Sequence, residues 1–343
     1  MGKNIVVFSD GTGQKGGRGS NTNVYKLFNM IEQRTDRQIA YYDPGLGTDW
    51  RRITGAISGR GVSQNILECY RFIFEQFKAG DKIYLFGFSR GAATVRSLSA
   101  FIHHFGILPQ SRPDLIEEAF RIYRIRDHEK RLATAEALIE KNNTMWTKIE
   151  FLGVWDTVAA LGLPIGGLGP LVDLFFPHRF HSFDLSEGVQ FARHALSIDE
   201  QRKSFHPVLW TPLKSGPPDR MKQVWFCGVH TDVGGGDAEE DLSNITLRWM
   251  IKEATERGLY IYAKSESYKR LMAADPDVDG FMHDQRLKFP WKMLKGVERR
   301  WPTDYGPVCI HESVTRRTRN RSNQHPPKYD AWITKYTDRM LEP

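Results

Sequence analysis

The sequence predicts an α/β fold in which a mostly parallel sheet carries helices on both faces. Short runs of β-branched and aromatic residues alternate with longer segments whose apolar residues recur at helical spacing. This alternation favours parallel strands joined by crossover helices. The chain has 343 residues, of which 40% are hydrophobic and 26% are charged, enough to bury one large core. We therefore expect a single domain over residues 1–343.

The predicted elements of the first part end at clear stop signals. The second strand stops at residues 43–45 (Asp-Pro-Gly), and the long helix after it ends at Gly80. In chain order these elements are a strand at 4–9, a helix at 22–33 capped by Asn21 or Thr22, a strand at 38–42, a helix at 62–78, and a strand at 83–86 followed by a helix to residue 105.

The rest of the chain continues the alternation around a segment rich in glycine and proline. The predicted elements are helices at 114–126 and 129–141, a strand at 148–154, a helix near 186–195, a strand at 223–229 and a helix at 244–257. Residues 265–343 are expected to form a C-terminal extension packed on the domain.

Residues 87–91 (Gly-Phe-Ser-Arg-Gly) are the most informative motif of the chain. A strand leads into them and a helix follows, so Ser89 lies on a sharp turn between the two. The glycines two residues before and two residues after it leave room for the backbone to double back. A serine in such a turn projects above the sheet at the positive end of the helix. We predict that Ser89 is a catalytic nucleophile.

An acid and a histidine follow later strands. Asp156 comes after the strand at 148–154, and His230 comes after the strand at 223–229. Ligand sites of parallel sheets lie beyond the carboxyl ends of the strands, and serine, acid, histidine is the chain order of the α/β-hydrolases. The imidazole takes the serine proton, and the carboxylate fixes the tautomer of the imidazole. We therefore predict Asp156 and His230 as the acid and the base.

A second acid and a second histidine satisfy the same order. Asp232 lies two residues beyond His230, and His311 follows a short strand-like run near the end of the chain. An aspartate after a strand is also often only a helix cap, and a histidine in a turn is often only a satisfied polar residue. The pair of Asp232 and His311 is therefore an alternative acid and base.

The glycine-rich turn at 11–16 has two interpretations. It matches the pattern that cradles a dinucleotide pyrophosphate, but Asp10 would place a carboxylate beside the phosphates, and a polar loop separates the glycines from the next helix. We expect instead that the backbone amides of Gly11 or Thr12, together with that of Arg90, form an oxyanion hole.

The apolar segment 159–177 predicts a cap over the site. It is nearly free of charge, and an insertion after this strand commonly covers the site in α/β-hydrolases. We expect the cap to span residues 159–195 and to present Leu174, Phe175 and Phe176 to an acyl chain.

The charge of the chain and its cysteines limit the partners and the cellular compartment that we expect. The net charge is +7, and the late basic residues predict peripheral contact with an anionic membrane surface. No nucleic-acid-binding motif is recognisable, so no nucleic acid is expected. Three widely spaced cysteines predict free thiols in a reducing compartment. No signal peptide or membrane span is evident, which predicts a cytoplasmic protein. The late basic residues are Lys295, Arg299, Arg300, Arg316, Arg317, Arg319 and Arg321.

Several motifs together resemble the DUF2235 family of α/β-hydrolases, which includes the Tle1-type phospholipase effectors of bacterial type VI secretion systems. These motifs lie at residues 8–13, 22–24, 42–48, 87–92, 153–158, 194–200 and 228–236. The resemblance covers residues 4–320. It implies an α/β-hydrolase fold, phospholipase A activity and a triad at Ser89, Asp156 and His230. It also implies export by a contact-dependent secretion system, with a secretion-system or immunity partner.

The sequence therefore predicts a serine hydrolase of carboxylic esters, acting on lipids or small esters through an acyl-enzyme and needing no cofactor or metal. Two alternatives come from other classes. One is a metal-assisted phosphohydrolase built on Asp10, Asp156 and Asp232 at strand ends. The other is a non-catalytic binding module on the same fold.

Overall fold

One parallel sheet organises the fold. The computed structural model describes residues 2–11, 17, 19–45, 59–158, 184–287, 291–318, 329–336 and 338–343. Within these residues the strands are β1 (Asn4–Ser9), β2 (Gln38–Asp43), β3 (Lys82–Phe88), β4 (Ile149–Trp155), β5 (Val189–Ser197), β6 (Met221–Phe226), β7 (Val308–His311) and β8 (Arg339–Glu342). All neighbouring pairs are parallel, and the order is β2-β1-β3-β4-β5-β6-β7-β8. The central pair is therefore β4 and β5, with β3 beside β4.

Helices cover both faces of this sheet. The helices of the described residues are α1 (Asn23–Phe28), α2 (Gly59–Gln76), α3 (Arg90–Phe105), α4 (Leu115–Tyr123), α5 (His128–Asn142), α6 (His230–Gly234), α7 (Asp241–Thr255), α8 (Glu266–Met272) and α9 (Glu312–Arg316). The core on one face contains residues of α2, α3, α4 and α5. The core on the other face contains residues of α1, α7 and α8.

Successive side chains of β1 enter opposite cores. Ile5 and Val7 pack in the core of α2 to α5, whereas Val6 and Phe8 pack in the core of α1, α7 and α8. Because both faces are covered, the strand is a continuous apolar run rather than an alternating one. The predicted α/β fold class is confirmed.

The predicted helix at 186–195 is wrong, because this region forms β5 between β4 and β6. Two of its polar residues, Arg193 and His194, are both buried. Arg193 pairs with Glu253 of α7 and donates to Asp219 at 2.8 Å. His194 accepts the backbone N–H of Thr157 at 3.1 Å. Partners supplied by the surrounding fold outweigh the local helical pattern.

The first helix is shorter than predicted, although its cap is confirmed. Thr22 is the cap of α1, and its hydroxyl accepts the backbone N–H of Tyr25 at 3.2 Å. The helix ends at Phe28 rather than near residue 33.

The C-terminal part is built onto the sheet. Strands β7 and β8 extend it beyond β6, and Trp301, Ile310 and Ile333 share a core with Trp225 of β6. Residues 159–183 lie outside the described residues, and with them Leu174, Phe175 and Phe176 of the predicted cap. Residues 189–195, which the prediction assigned to the cap, belong to β5.

Candidate active site

Ser89 lies on a strained turn between β3 and α3. Its φ of 58° and ψ of −118° fall in a region that residues with side chains rarely adopt. Two glycines permit the turn. A Cβ on Gly87 would lie 2.5 Å from the carbonyl oxygen of Gly91, and one on Gly91 would lie 2.0 Å from the carbonyl oxygen of Ser9. The predicted strand, sharp turn and helix are therefore present in the structure.

The surroundings of Ser89 fix its backbone and place it at a helix start. Its N–H donates to the carbonyl of Trp155 at 3.0 Å, which ties the turn to the end of β4. The first amides of α3, beginning with Arg90, have no carbonyl acceptor within the helix. This end of the helix therefore favours negative charge beside Ser89.

Asp156 follows β4 and is held by four donors. It is fully buried, with a φ of 39°. Its Oδ2 lies 2.6 Å from His230 Nδ1, and the Arg299 guanidinium donates to Oδ1 at 2.6 Å and to Oδ2 at 2.9 Å. The backbone N–H of Ser197 donates to Oδ1 at 3.0 Å. Burial alone would raise the pKa of Asp156, but Arg299 and His230 hold it well below its usual range.

His230 begins α6 and presents one ring nitrogen to Asp156. Burial lowers the pKa of His230, an effect that the hydrogen bond and charge of Asp156 oppose. The imidazole is therefore neutral near pH 7. Since Nδ1 faces a carboxylate, we assign the proton to Nδ1, which leaves Nε2 as the proton acceptor.

Aromatic side chains locate His230 beside the turn of Ser89. The ring of Phe88, the residue before Ser89, lies 4.6 Å from the imidazole between centroids, and the ring of Phe205 lies 5.1 Å away. Phe88 also fills the space next to Gly234 of α6, where a Cβ would lie 2.0 Å from its ring. The structure thus brings Asp156 and His230 into direct contact and places both at the sheet edge that carries Ser89.

Asp232 and His311, the alternative pair, have other partners. Asp232 lies 2.5 Å from Nδ1 of His283 and accepts the backbone N–H of Val229 at 2.9 Å. His311 Nδ1 lies 2.8 Å from the hydroxyl of Ser313, where it caps α9. Burial lowers the pKa of His311 to about 4. These contacts separate the two residues into different local networks.

Asp10 organises the turn after β1. Its Oδ1 accepts the backbone N–H of Gly11 at 2.7 Å, and its Oδ2 accepts the hydroxyls of Thr22 at 2.6 Å and Tyr42 at 2.7 Å. Burial raises the pKa of Asp10 to about 6, although these donors oppose the shift. The amide of Gly11 is therefore committed to Asp10 rather than to an oxyanion. Thr12 lies outside the described residues.

The prediction from sequence missed Arg299 as a partner of Asp156. It counted Arg299 among the basic surface residues, whereas the side chain is fully buried. Arg317, from the same group, is also buried and donates to the carbonyl oxygens of Val278 and Gly280. A single sequence offered no signal for these placements, because spacing alone does not separate a buried arginine from a solvated one.

The described part of the chain contains three cysteines, and all three are free. No group of three or more His, Cys, Asp or Glu side chains there is arranged to hold a metal ion. None of the helices in the same residues combines the length and the apolar character that crossing a membrane requires.

Comparison with known proteins yields one family and several distant relatives. A family model described as the Tle1-like catalytic domain of type VI secretion phospholipase effectors matches residues 3–253. An uncharacterized protein of Saccharomyces cerevisiae is 30% identical over 256 residues, which cover 67% of this chain and 36% of that protein.

Two solved structures are also similar. An uncharacterized protein from Pseudomonas aeruginosa has a TM-score of 0.47 at 19% identity, covering 78% of this chain and 48% of its own. A Tle1 effector, solved bound to the VgrG spike of the type VI secretion system, has a TM-score of 0.39 at 18% identity, covering 69% of this chain and 52% of its own. The present chain matches about half or less of the length of these relatives.

Proposed function

This chain belongs to the family of Tle1-like catalytic domains of type VI secretion phospholipase effectors, and we propose that it hydrolyses carboxylic esters of phospholipids with Ser89 as the nucleophile. The family is the one that the sequence motifs resemble. The observation that carries the proposal is the strained turn of Ser89 next to the buried pair of Asp156 and His230. A strained serine, a neutral imidazole and an ionised carboxylate at one sheet edge are the parts that acyl transfer needs.

The first half of the reaction forms an acyl-enzyme. Ser89 Oγ attacks the acyl carbon while its proton passes to Nε2 of His230. Asp156, whose pKa lies well below its usual range, stays ionised and stabilises the imidazolium. The bond between the acyl carbon and the glycerol oxygen then breaks, and His230 returns the proton to that oxygen. A lysophospholipid leaves.

The second half releases the fatty acid. Water attacks the acyl-enzyme, with His230 Nε2 accepting its proton, and Ser89 leaves with that proton. In both halves negative charge develops on the acyl oxygen. The backbone amide of Arg90, at the start of α3, is our proposed donor to that oxygen. A second donor from Thr12 stays a prediction, as does the acyl-binding role of Leu174, Phe175 and Phe176.

The proposed surface for lipid contact is a ridge formed by residues 285–287 and 291–297. Two short 3₁₀ turns in this ridge pack against each other. Leu287 and Met293 are each 75% exposed, and Leu294 and Val297 are exposed as well. Exposed apolar side chains accompanied by lysines favour an anionic phospholipid surface over water. The exposed basic residues at 291–300 are Lys292, Lys295 and Arg300, beside one exposed acid, Glu298.

The ridge is continuous with the candidate site. The ring of Trp291, the first residue of the second part of the ridge, lies 5.7 Å from the ring of Phe205 between centroids, and Phe205 contacts the ring of His230. The backbone N–H of Val297 donates to the carbonyl of Gln201 at 2.9 Å, which anchors the ridge beside β5. A membrane bound to the ridge would therefore present its ester bonds close to Ser89.

Export by a type VI secretion system is part of the same proposal. The matched family model is described by the effectors of such systems, which supports a secretion-system partner for this protein.

The metal-assisted alternative is less favourable for electrostatic reasons. Both oxygens of Asp156 accept hydrogen bonds from the Arg299 guanidinium, and a metal ion at Asp156 would meet that positive charge. Asp10 and Asp232 are each bound to separate donors.

The test compares Ser89→Ala with the wild type on phosphatidylglycerol vesicles and on a soluble p-nitrophenyl ester. We expect a loss of several orders of magnitude on both substrates, with an unchanged thermal unfolding transition. Turnover that survives Ser89→Ala but is abolished by EDTA would favour the metal-assisted alternative. If the wild-type protein hydrolyses no ester and a fluorophosphonate does not label Ser89, the result would favour a non-catalytic binding module.

A further inference from the structure

Arg299 makes the closest charged contact of the candidate acid and comes from outside the matched family region. The family match ends at residue 253, whereas Arg299 lies in the segment that leads from the ridge to β7. Its side chain is fully buried. Both terminal nitrogens of the guanidinium donate to Asp156, one to each carboxylate oxygen, at 2.6 and 2.9 Å.

Two further hydrogen bonds hold the guanidinium in this position. Arg299 Nη1 donates to the carbonyl of Ser197 at 2.8 Å, and Nη2 donates to the carbonyl of Phe205. Ser197 ends β5, and its own N–H donates to Asp156. Phe205 packs on the ring of His230. Arg299 therefore connects the Asp156 carboxylate with Ser197 at the end of β5 and with Phe205, which packs beside the imidazole.

A planar guanidinium bound through two parallel hydrogen bonds fixes both the charge and the plane of a carboxylate. Burial without a cation would favour the neutral form of Asp156. A neutral Asp156, or one turned about its Cβ–Cγ bond, would no longer hold the His230 proton on Nδ1.

We propose that Arg299 is a positioning residue that keeps Asp156 ionised and oriented toward His230, so that the active site includes the segment after the matched catalytic region. The inference rests on the proposed function for its effect on turnover, but its effect on His230 can be measured without turnover. Other titratable or charged groups near this pair in the described residues are Glu200, Arg202, His194 and His206.

The experiment compares Arg299→Met and Arg299→Lys with Arg317→Met. Arg317 is a matched control, because it is a buried arginine of the same C-terminal part that donates to backbone carbonyls and not to Asp156. The measurements are thermal unfolding, the titration of His230 by ¹⁵N nuclear magnetic resonance, and kcat and KM on a soluble ester across pH.

Arg299→Met removes a positive charge beside the pair, so the pair binds a proton more readily whichever of its two residues carries it. We expect the titration midpoint and the acid limb of kcat/KM to move up by about one to three pH units. We expect kcat to fall about a hundredfold with little change in KM. Arg299→Lys should keep the acid limb near that of the wild type, while kcat stays reduced because one ammonium cannot replace the planar fork.

A folded Arg299→Met with the titration midpoint and kcat of the wild type would overturn the inference, and so would equal changes in Arg317→Met. If Arg299→Met does not fold, a kcat of Arg299→Lys equal to that of the wild type overturns it. If the wild type hydrolyses no ester, the proposed function fails, and the His230 titration still decides whether Arg299 controls the pair.

Discussion

Two buried carboxylates flank Ser89 at one edge of the sheet and differ in what neutralises them. Asp156 follows β4, on one side of β3, and both its oxygens accept hydrogen bonds from the Arg299 guanidinium. Asp10 follows β1, on the other side of β3, and its donors are two hydroxyls and one backbone amide. Both side chains are nearly inaccessible to solvent, at 0% and 2% exposure.

The difference follows from the charge beside each carboxylate: Asp156 has the Arg299 guanidinium beside it, whereas Asp10 has neutral donors and the like charge of Asp43. The pKa of Asp10 is raised to about 6, because burial outweighs its three neutral donors. Burial acts on Asp156 as well, yet Arg299 and His230 keep its pKa well below the usual range. Asp156 is therefore suited to stabilise an imidazolium, whereas Asp10 is suited to shape the turn at Gly11.

The largest effect is expected from removing His230, the base that contacts Asp156 and not Asp10. His230→Ala should lower kcat/KM for a soluble ester on the order of a millionfold, because triad members act as a unit. Adding Ser89→Ala should cost little more. His311→Ala is the matched control and should mainly lose helix-cap stability, about 1 kcal/mol. A larger kinetic loss in His311→Ala than in His230→Ala, both folded, would move the base to His311.

The next effect compares the two carboxylates directly. Asp156→Asn should lower kcat about 10⁴-fold, because the amide favours the wrong tautomer of His230. Asp10→Asn should lower kcat less than about tenfold, because the Asp10 carboxylate has no charge interaction with Ser89 or His230. Steady-state kinetics of both folded variants on one soluble ester measure the ratio. Equal losses would remove the distinction between the two sides.

Asp10 and Asp156 should change the pH dependence of the free energy of unfolding in opposite directions. The folded-state pKa of Asp10 is raised from 3.8 to about 6, so its protonated form favours folding. Its contribution is complete below about pH 4 and is lost as the pH rises through about 6, a change of about 3 kcal/mol. Asp10→Asn does not titrate, so its stability relative to the wild type should increase over this range. Urea unfolding at pH 4 and pH 7 measures the difference.

For Asp156 the sign is reversed. Because its pKa is lowered in the folded state, Asp156 stabilises the fold at pH values above the ordinary pKa of aspartate. This contribution is lost as the pH falls below that value. Asp156→Asn should therefore lose stability relative to the wild type on going from acid to neutral pH. The same direction of change in both variants would show that the pKa values of the two carboxylates are not shifted in opposite directions.

The smallest effect concerns the ridge on the His230 side. Met293→Ser together with Leu294→Ser should lower turnover on anionic vesicles about tenfold, because about 1.5–3 kcal/mol is available from each apolar side chain that becomes buried. Turnover on a soluble ester should not change. Met340→Ser is the control, since Met340 is an exposed methionine on β8. Equal losses on both substrates would exclude a role in lipid contact.

Local patterns predicted the elbow and most of the sheet well, because the residues concerned determine their own conformation. Gly87 and Gly91 are required by backbone atoms only a few residues away or in the adjacent strand. The strands β1 and β3 are apolar on both faces, which marks them as interior strands of the sheet. The order of Ser89, Asp156 and His230 along the chain also anticipated the contact between Asp156 and His230.

The errors arose where distant partners decide the outcome. Arg193 in the region predicted as a helix is buried in β5, where Glu253 and Asp219 neutralise it, and both partners are distant in sequence. Arg299 is distant in sequence from Asp156 and carries no local signal. The Gly11 amide is a different case, because its partner is the neighbouring residue: the sequence does not reveal that the Asp10 carboxylate turns back to accept this N–H.

The most direct test of the account is covalent labelling of the wild type with a fluorophosphonate, followed by mapping of the modified residue by mass spectrometry. We predict a single modification at Ser89, absent in Ser89→Ala and strongly slowed in His230→Ala and Asp156→Asn, because the probe reacts only with an activated serine. Modification of a different residue, or no modification of an enzyme that still hydrolyses esters, would contradict the assignment of Ser89 as the nucleophile.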